Sequence, residues 1–139
     1  MRLAMVLGLM TAILFPLPAQ GCGKSTAPEA VVQTQVDAYN AHDIEKFVQC
    51  YAHDIAIHDL SGKESPTKGI AELRKDYEWL AKAPKDYRVQ IVNRLIVGRI
   101  VIDVERVLGL PKENGTPEVV AIFEVRDGKI KNVWFPPSD

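Results

Sequence analysis

YNAHDIEKFVQCYAHDIAIHD, residues 39–59, changes period partway along. Asp43 suits an N-cap, and Ile44, Phe47, Val48 and Tyr51 fall on one face of the helix it would start. Beyond them a short apolar strand ends at Asp59, and Leu60-Ser61-Gly62 reads as a turn. Helix, strand and turn therefore follow one another in a single continuous run. Upstream, Val32, Val36 and Tyr39 recur at i, i+4 and i+7, which predicts an amphipathic helix over residues 28–41. Downstream, a third helix is expected after Thr67, with Ile70, Leu73, Tyr77 and Leu80 at helical spacing and Pro84 marking its end.

From Asp86 the period shortens. YRVQIVNRLIV and RIVIDVERVLGL flank Gly98, and PEVVAIFEVR and KIKNVWF flank Asp127-Gly128, the strongest short hairpin signal in the chain. Lys112-Glu113-Asn114-Gly115 supplies a further turn. The order is helix, helix, short strand, helix, then four long antiparallel strands. That segregation gives an α+β fold, with three N-terminal helices packed on one face of a strongly curved antiparallel sheet.

The chain has 139 residues, enough for one domain with a sizeable core, and its 47% hydrophobic and 25% charged content is that of a globular protein. Residues 1–21 stand apart. Arg2 is the only charge before Lys24, and Leu3 to Leu17 is almost unbroken apolar sequence followed by Ala19-Gln20-Gly21-Cys22. A basic start, a short apolar run and a small-residue exit describe an export signal rather than a spanning helix. Gly21-Cys22 also resembles the end of a bacterial lipoprotein box. Lipidation of Cys22 is then the favoured expectation and simple cleavage before it the alternative, with residues 22–28 as a tether and 29–137 as the domain. A lipid on Cys22 leaves Cys50 as a free thiol, expected among apolar neighbours on a helix. The expected location is the bacterial cell envelope, periplasmic or surface, with the membrane reached only through the anchor. Without residues 1–21 the chain carries 16 Lys+Arg against 18 Asp+Glu. That balance gives no electrostatic reason to expect nucleic acid.

YNAHDIEKFVQCYAHDIAIHD, KGIAELR, VGRIVIDVERVLG and VVAIFEVRDGKIKNVWF together resemble the nuclear transport factor 2-like superfamily, in its SnoaL-like and ketosteroid isomerase-like branches. The resemblance covers nearly all of residues 30–136. It implies a cone-shaped domain whose core opens into an apolar pocket, and commonly a homodimer formed through the sheet. It implies no particular activity, because this fold hosts isomerases, cyclases, dehydratases, epoxide hydrolases and plain binding modules.

The same resemblance puts Asp59 at the position of the isomerases' general base. A carboxylate taken out of water becomes a stronger base, able to lift a proton next to a carbonyl. The competing reading of Asp59, from Leu60-Ser61-Gly62, is an Asx-turn. The isomerases' tyrosine donor falls at Gln35 and their protonated carboxylic acid at Ala121, so the strong neutral donors for an enolate are missing and a ketosteroid isomerase proper is not expected. The epoxide hydrolase branch fits less well, since KNVWFPP carries no carboxylate. Gln35 remains a candidate donor. Tyr39, Tyr51, Ala121, Phe123 and Trp134 are candidate ligand contacts, the buried tyrosine hydroxyls needing partners.

Arg94, Asp103 and Glu105 add charge to the central hairpin. With Val97-Gly98 as a two-residue turn they share a solvated or dimer-facing side, while Ile91, Leu95, Ile102 and Val104 fill the core side. GCGKST, residues 21–26, imitates a phosphate-binding loop, but Pro18 stands where the first glycine is required. The His-Asp pairs at 42–43, 53–54 and 58–59 do not converge as metal ligands must, so no metal and no cofactor are expected. Three functions follow: an exported module binding a small, largely apolar molecule; a cofactor-free isomerase, cyclase or dehydratase with Asp59 as base; or an envelope interaction module with a vestigial pocket.

Overall fold

The structure, a computed structural model, describes residues 22–138; the expected export signal lies outside them. Helix α1, Pro28–Asn40, starts with proline where an N–H would be unpaired anyway, and turns Val31, Val32, Gln35 and Val36 inward. Helix α2, Ile44–Gln49, is capped by the Asp43 carboxylate, which accepts from the Lys46 N–H at 3.1 Å. It is shorter than its apolar face suggests, because Cys50 caps it and Tyr51 already opens strand β1, Tyr51–Asp59. A two-residue strand β2, Thr67–Lys68, precedes helix α3, Ile70–Tyr77, and a 3-10 turn over Glu78–Lys82.

Strands β3 (Arg88–Val97), β4 (Ile100–Leu108), β5 (Glu118–Arg126) and β6 (Lys129–Phe135) form the two expected hairpins. Asp127 and Gly128 both take positive φ, as a tight hairpin turn demands. The six strands run in the order β2-β1-β6-β5-β4-β3. One expectation is corrected here: the sheet is mixed, because β1 pairs with β6 in parallel. The three helices cover one face, and Phe47, Ile55, Leu73, Val101 and Ile130 are fully buried between the layers. Each such side chain stabilises the fold by about 1.5–3 kcal/mol relative to exposure.

The central hairpin is inverted relative to expectation. Its turn is Gly98-Arg99, with Val97 opposite Ile100, and a bulge lies between Ile91 and Asn93. Moving the turn by one residue leaves the same residues sharing a side, so Arg94 still lies with Asp103 and Glu105; it is the side turned to the core that differs. Val101, Asp103 and Glu105 point inward, while Leu95, Ile102 and Val104 point outward. Asp103 is fully buried and joined to Arg94 by two hydrogen bonds of 2.7 Å, and Arg94 donates at 2.8 Å to Gln33 on α1. Ala121 sits opposite Asp103 on β5.

The N-terminal segment is a second correction. Cys22 and Cys50 form a disulfide, with their Cα atoms 4.4 Å apart. A sulfur in that bond is not available for a lipid thioether, and Cys50 is not a free thiol. Cys22 is buried and residues 23–27 are exposed, with the Thr26 side chain so near Gly128 that an added Cβ there would lie 3.0 Å from it.

Candidate functional site

The cone encloses a cavity of about 680 Å³ between α1, α3 and the concave side of the sheet. Several elements bring polar groups to its wall. Helix α1 contributes Gln35 and Tyr39, and β1 contributes Tyr51 and, at the mouth, Asp59. Helix α3 contributes Tyr77, and β4 contributes Glu105. Tyr87 is set by the junction of α1 and β3. The Asn40 side chain exchanges two 2.9 Å hydrogen bonds with the Val89 backbone, and the His42 ring meets the Tyr87 carbonyl at 2.8 Å. This clamp brings the Tyr39 and Tyr87 hydroxyls to 3.0 Å.

The aromatic rings form one continuous cluster. Trp79 meets Tyr87 edge-on at 5.4 Å, Tyr87 lies 6.2 Å from Tyr39, and Tyr39 lies 6.4 Å from Tyr77. Phe47 then links Tyr77 to Tyr51 at 4.9 and 5.0 Å. Burial raises the pKa of Tyr39, Tyr51 and Tyr77, and the nearby Glu105 charge adds to the shift at each. These phenols stay protonated and can act only as neutral hydrogen-bonding groups.

Glu105 is the carboxyl with unusual electrostatics. Burial pushes it from 4.5 up to about 7; the neighbouring Asp103 charge adds to the rise and Arg94 opposes it. Gln35 is 7% exposed, and its Oε1 is the one buried side-chain oxygen or nitrogen among the described residues with no hydrogen-bond partner.

Asp59 behaves otherwise than expected of a base. Its carboxylate accepts from the Ser61 N–H at 2.9 Å, the Ser61 hydroxyl at 2.6 Å, and the Lys63 and Glu64 N–H groups at 3.0 Å each. The Ser61 hydroxyl and these backbone donors hold its pKa below the ordinary value, the opposite of what a carbon-acid base needs. It reaches the mouth of the cavity, but its oxygens are engaged in organising the loop that follows.

Of the other expected contacts, Gln35, Tyr39, Tyr51 and Phe123 lie on the cavity wall. Ala121 is fully buried in the core beside Asp103 and does not reach the cavity. Trp134 faces outward, stacked on His58 with ring centres 5.8 Å apart; its neighbour Phe135 faces the cavity instead. Glu105 is the residue that sequence reasoning placed on the wrong side. Gly98 at the first central position favours the Gly98-Arg99 turn over Val97-Gly98, but either turn keeps Glu105 on the side of Arg94 and Asp103, so the turn does not say which side meets the core. Among the described residues no three His, Cys, Asp or Glu side chains are grouped to hold a metal ion.

A curved sheet closed over by helices, with a cavity opening at one end, defines an α+β cone of the nuclear transport factor 2-like kind. The sequence profile of the SnoaL-like domain matches residues 32–133, and the chain belongs to that family. Solved structures agree on the fold. A candidate ketosteroid isomerase from Kribbella flavida superposes with a TM-score of 0.67 at 20% identity, over 81% of this chain and 78% of the other. A candidate polyketide cyclase from Sinorhizobium meliloti gives 0.63 at 17% identity, over 76% and 92%. An uncharacterised cystatin-fold protein from Novosphingobium aromaticivorans gives 0.62 at 26% identity, over 81% and 98%. No curated protein matches the chain.

Proposed function

We propose that this domain binds a small, largely apolar molecule inside the cone, with Glu105 and the tyrosines orienting it. The observation that carries the reading is the cavity itself: about 680 Å³, its wall shared between aromatic and aliphatic side chains and polar ones, with Glu105 as its buried carboxyl and further carboxylates at the mouth. A concave site with apolar walls and convergent polar groups is the usual form of a small-molecule site. Export is part of the reading. It rests on the leader-like residues 1–21 and on the Cys22–Cys50 pair, since disulfides persist in oxidising compartments. The location proposed is the cell envelope, without a lipid on Cys22. Pairing of two copies through the outer face of the sheet also belongs to it, supported by the apolar residues exposed there.

The test is a thermal-shift screen of apolar small molecules on the wild type and on Val107→Phe, which fills the cavity wall. The expected outcome is at least one compound that stabilises the wild type and loses its effect in the variant. Compounds that shift both proteins equally, or no compound that separates them, would overturn the reading.

One observation favours a second reading, cofactor-free proton transfer. An acid that ionises at about 7 beside un-ionised phenols is matched to general acid–base work near neutrality. Here Glu105, not Asp59, is the base, and Tyr39, Tyr51 or Gln35 would donate to the developing oxyanion. Deuterium exchange into enolisable ketones and lactones, abolished in Glu105→Gln, separates turnover from binding alone.

A further inference from the structure

The polar groups of the cavity share a sign. Its wall carries the carboxyls of Asp59, Glu64, Glu72, Asp76 and Glu105, and among the described residues no lysine, arginine or histidine lines it. Arg94, the cation whose charge acts on Glu105, is already committed to Asp103 by two 2.7 Å hydrogen bonds and to Gln33 by one of 2.8 Å. Gln35 Oε1, on a residue 93% buried by its 7% exposure, is an acceptor with no donor. Aromatic rings, Tyr39, Tyr51, Tyr77, Tyr87 and Trp79, make up much of the remaining wall.

We propose that the occupant is a protonated amine on an apolar body, its ammonium held by the Glu105 carboxylate and Gln35 Oε1 among the faces of these rings. The proposal rests on the small-molecule reading above and names the chemical class of the ligand. Three arguments lead to it. An ammonium offers three donors and no acceptor, which is what an unpaired amide oxygen and a carboxylate lack. Ring faces attract cations, and most strongly where water is excluded. A carboxylate-bearing ligand would instead meet Glu105 and the acidic mouth with like charge, with no cation on the wall to offset it. The carboxylates at the mouth, Asp59, Glu64, Glu72 and Asp76, also raise the local concentration of cations at the entrance. A neutral alcohol satisfies one acceptor at most and gains nothing from the charge.

The experiment uses three probes of one shape: tryptamine, tryptophol and indole-3-propionate, titrated calorimetrically into residues 22–139 with the disulfide intact. Tryptamine is expected to bind at least about tenfold more tightly than tryptophol, the factor one charge-assisted hydrogen bond supplies, and indole-3-propionate most weakly. Glu105→Gln should remove that preference, so that tryptamine and tryptophol bind the variant alike. Gln35→Met, which deletes the acceptor and keeps the volume, should weaken tryptamine selectively and serves where Glu105→Gln folds poorly. Tryptophol or indole-3-propionate binding as tightly as tryptamine overturns the amine assignment and leaves the cavity as a small-molecule site. Failure of all three to bind also overturns it, and the thermal-shift screen on Val107→Phe then decides the broader reading separately.

Discussion

Glu105 is held in the fold at a cost that depends on pH in a definite direction. Its folded pKa of about 7 lies above the ordinary 4.5, so between those values the native state holds a proton that the unfolded chain has released. Stability therefore falls as pH rises through this window: the penalty is absent below 4.5, complete above about 7, and on the order of 3 kcal/mol. The groups facing Glu105 do not cancel it. Tyr39 from α1, Tyr51 from β1 and Tyr77 from α3 stay neutral, and Asp103 reinforces the shift that Arg94 opposes. Glu105→Gln keeps the shape and removes the titration. Urea unfolding across the window should show the variant gaining on the wild type by that amount as pH rises, and a constant difference between the two would contradict the burial of a neutral acid. The contrast with Asp59 was only half visible in the sequence. Asp-Leu-Ser-Gly announces a turn, which Asp59 indeed nucleates, whereas nothing local distinguishes a carboxylate bonded by Ser61, Lys63 and Glu64 from one facing a cavity. Tyr39, Tyr51, Gln35 and Phe123 were legible because helix period or family position fixes their faces.

Among the elements, what the sequence showed best were those whose signals are local. The helix starts at Pro28 and Asp43 and the Asp127-Gly128 hairpin are written in a few adjacent residues. The parallel pairing of β1 with β6 joins residues far apart in the chain and has no such signature. The inner hairpin was read inside out, because VIDVERV puts Ile102 and Val104 on one side and Asp103 and Glu105 on the other, and it is the charged side that is buried. Cys22–Cys50 is the other long-range element. It closes a loop of sequence separation 28, which in the chain-entropy account stabilises the fold by about 3–4 kcal/mol. Cys22→Ser should therefore lower the unfolding free energy by about that much. Reductant should destabilise the wild type similarly and leave the variant unchanged. A reductant-insensitive wild type, or mature protein carrying lipid on Cys22, would show that the disulfide does not form in the cell.

At the scale of the molecule, the inversion of β3 and β4 has a consequence on the outside. Leu95, Ile102, Ile122 and Trp134 are successive register partners across β3, β4, β5 and β6, with His58 of β1 stacked on the last. They form an apolar stripe across the convex face. Leu95 is 58% exposed and Val97 61%, and Val92, pushed out at the bulge, adds to the patch. The charged side chains expected to mark a pairing surface, Arg94, Asp103 and Glu105, are inside, so the stripe left for the proposed homodimer is apolar, flanked by the Arg106–Glu118 and Glu124–Arg126 ion pairs. Such a surface is costly to leave in water and suits burial against a second copy, where one sheet packs on another. Leu95→Asp places a charge at the most exposed end of the stripe, on the edge strand β3, without touching the core or the cavity. Sedimentation should then give twice the chain mass for the wild type and a single chain mass for the variant, with unchanged circular dichroism. A wild type that stays monomeric at micromolar concentrations would mean that the stripe is not a pairing face, and the cone would act alone.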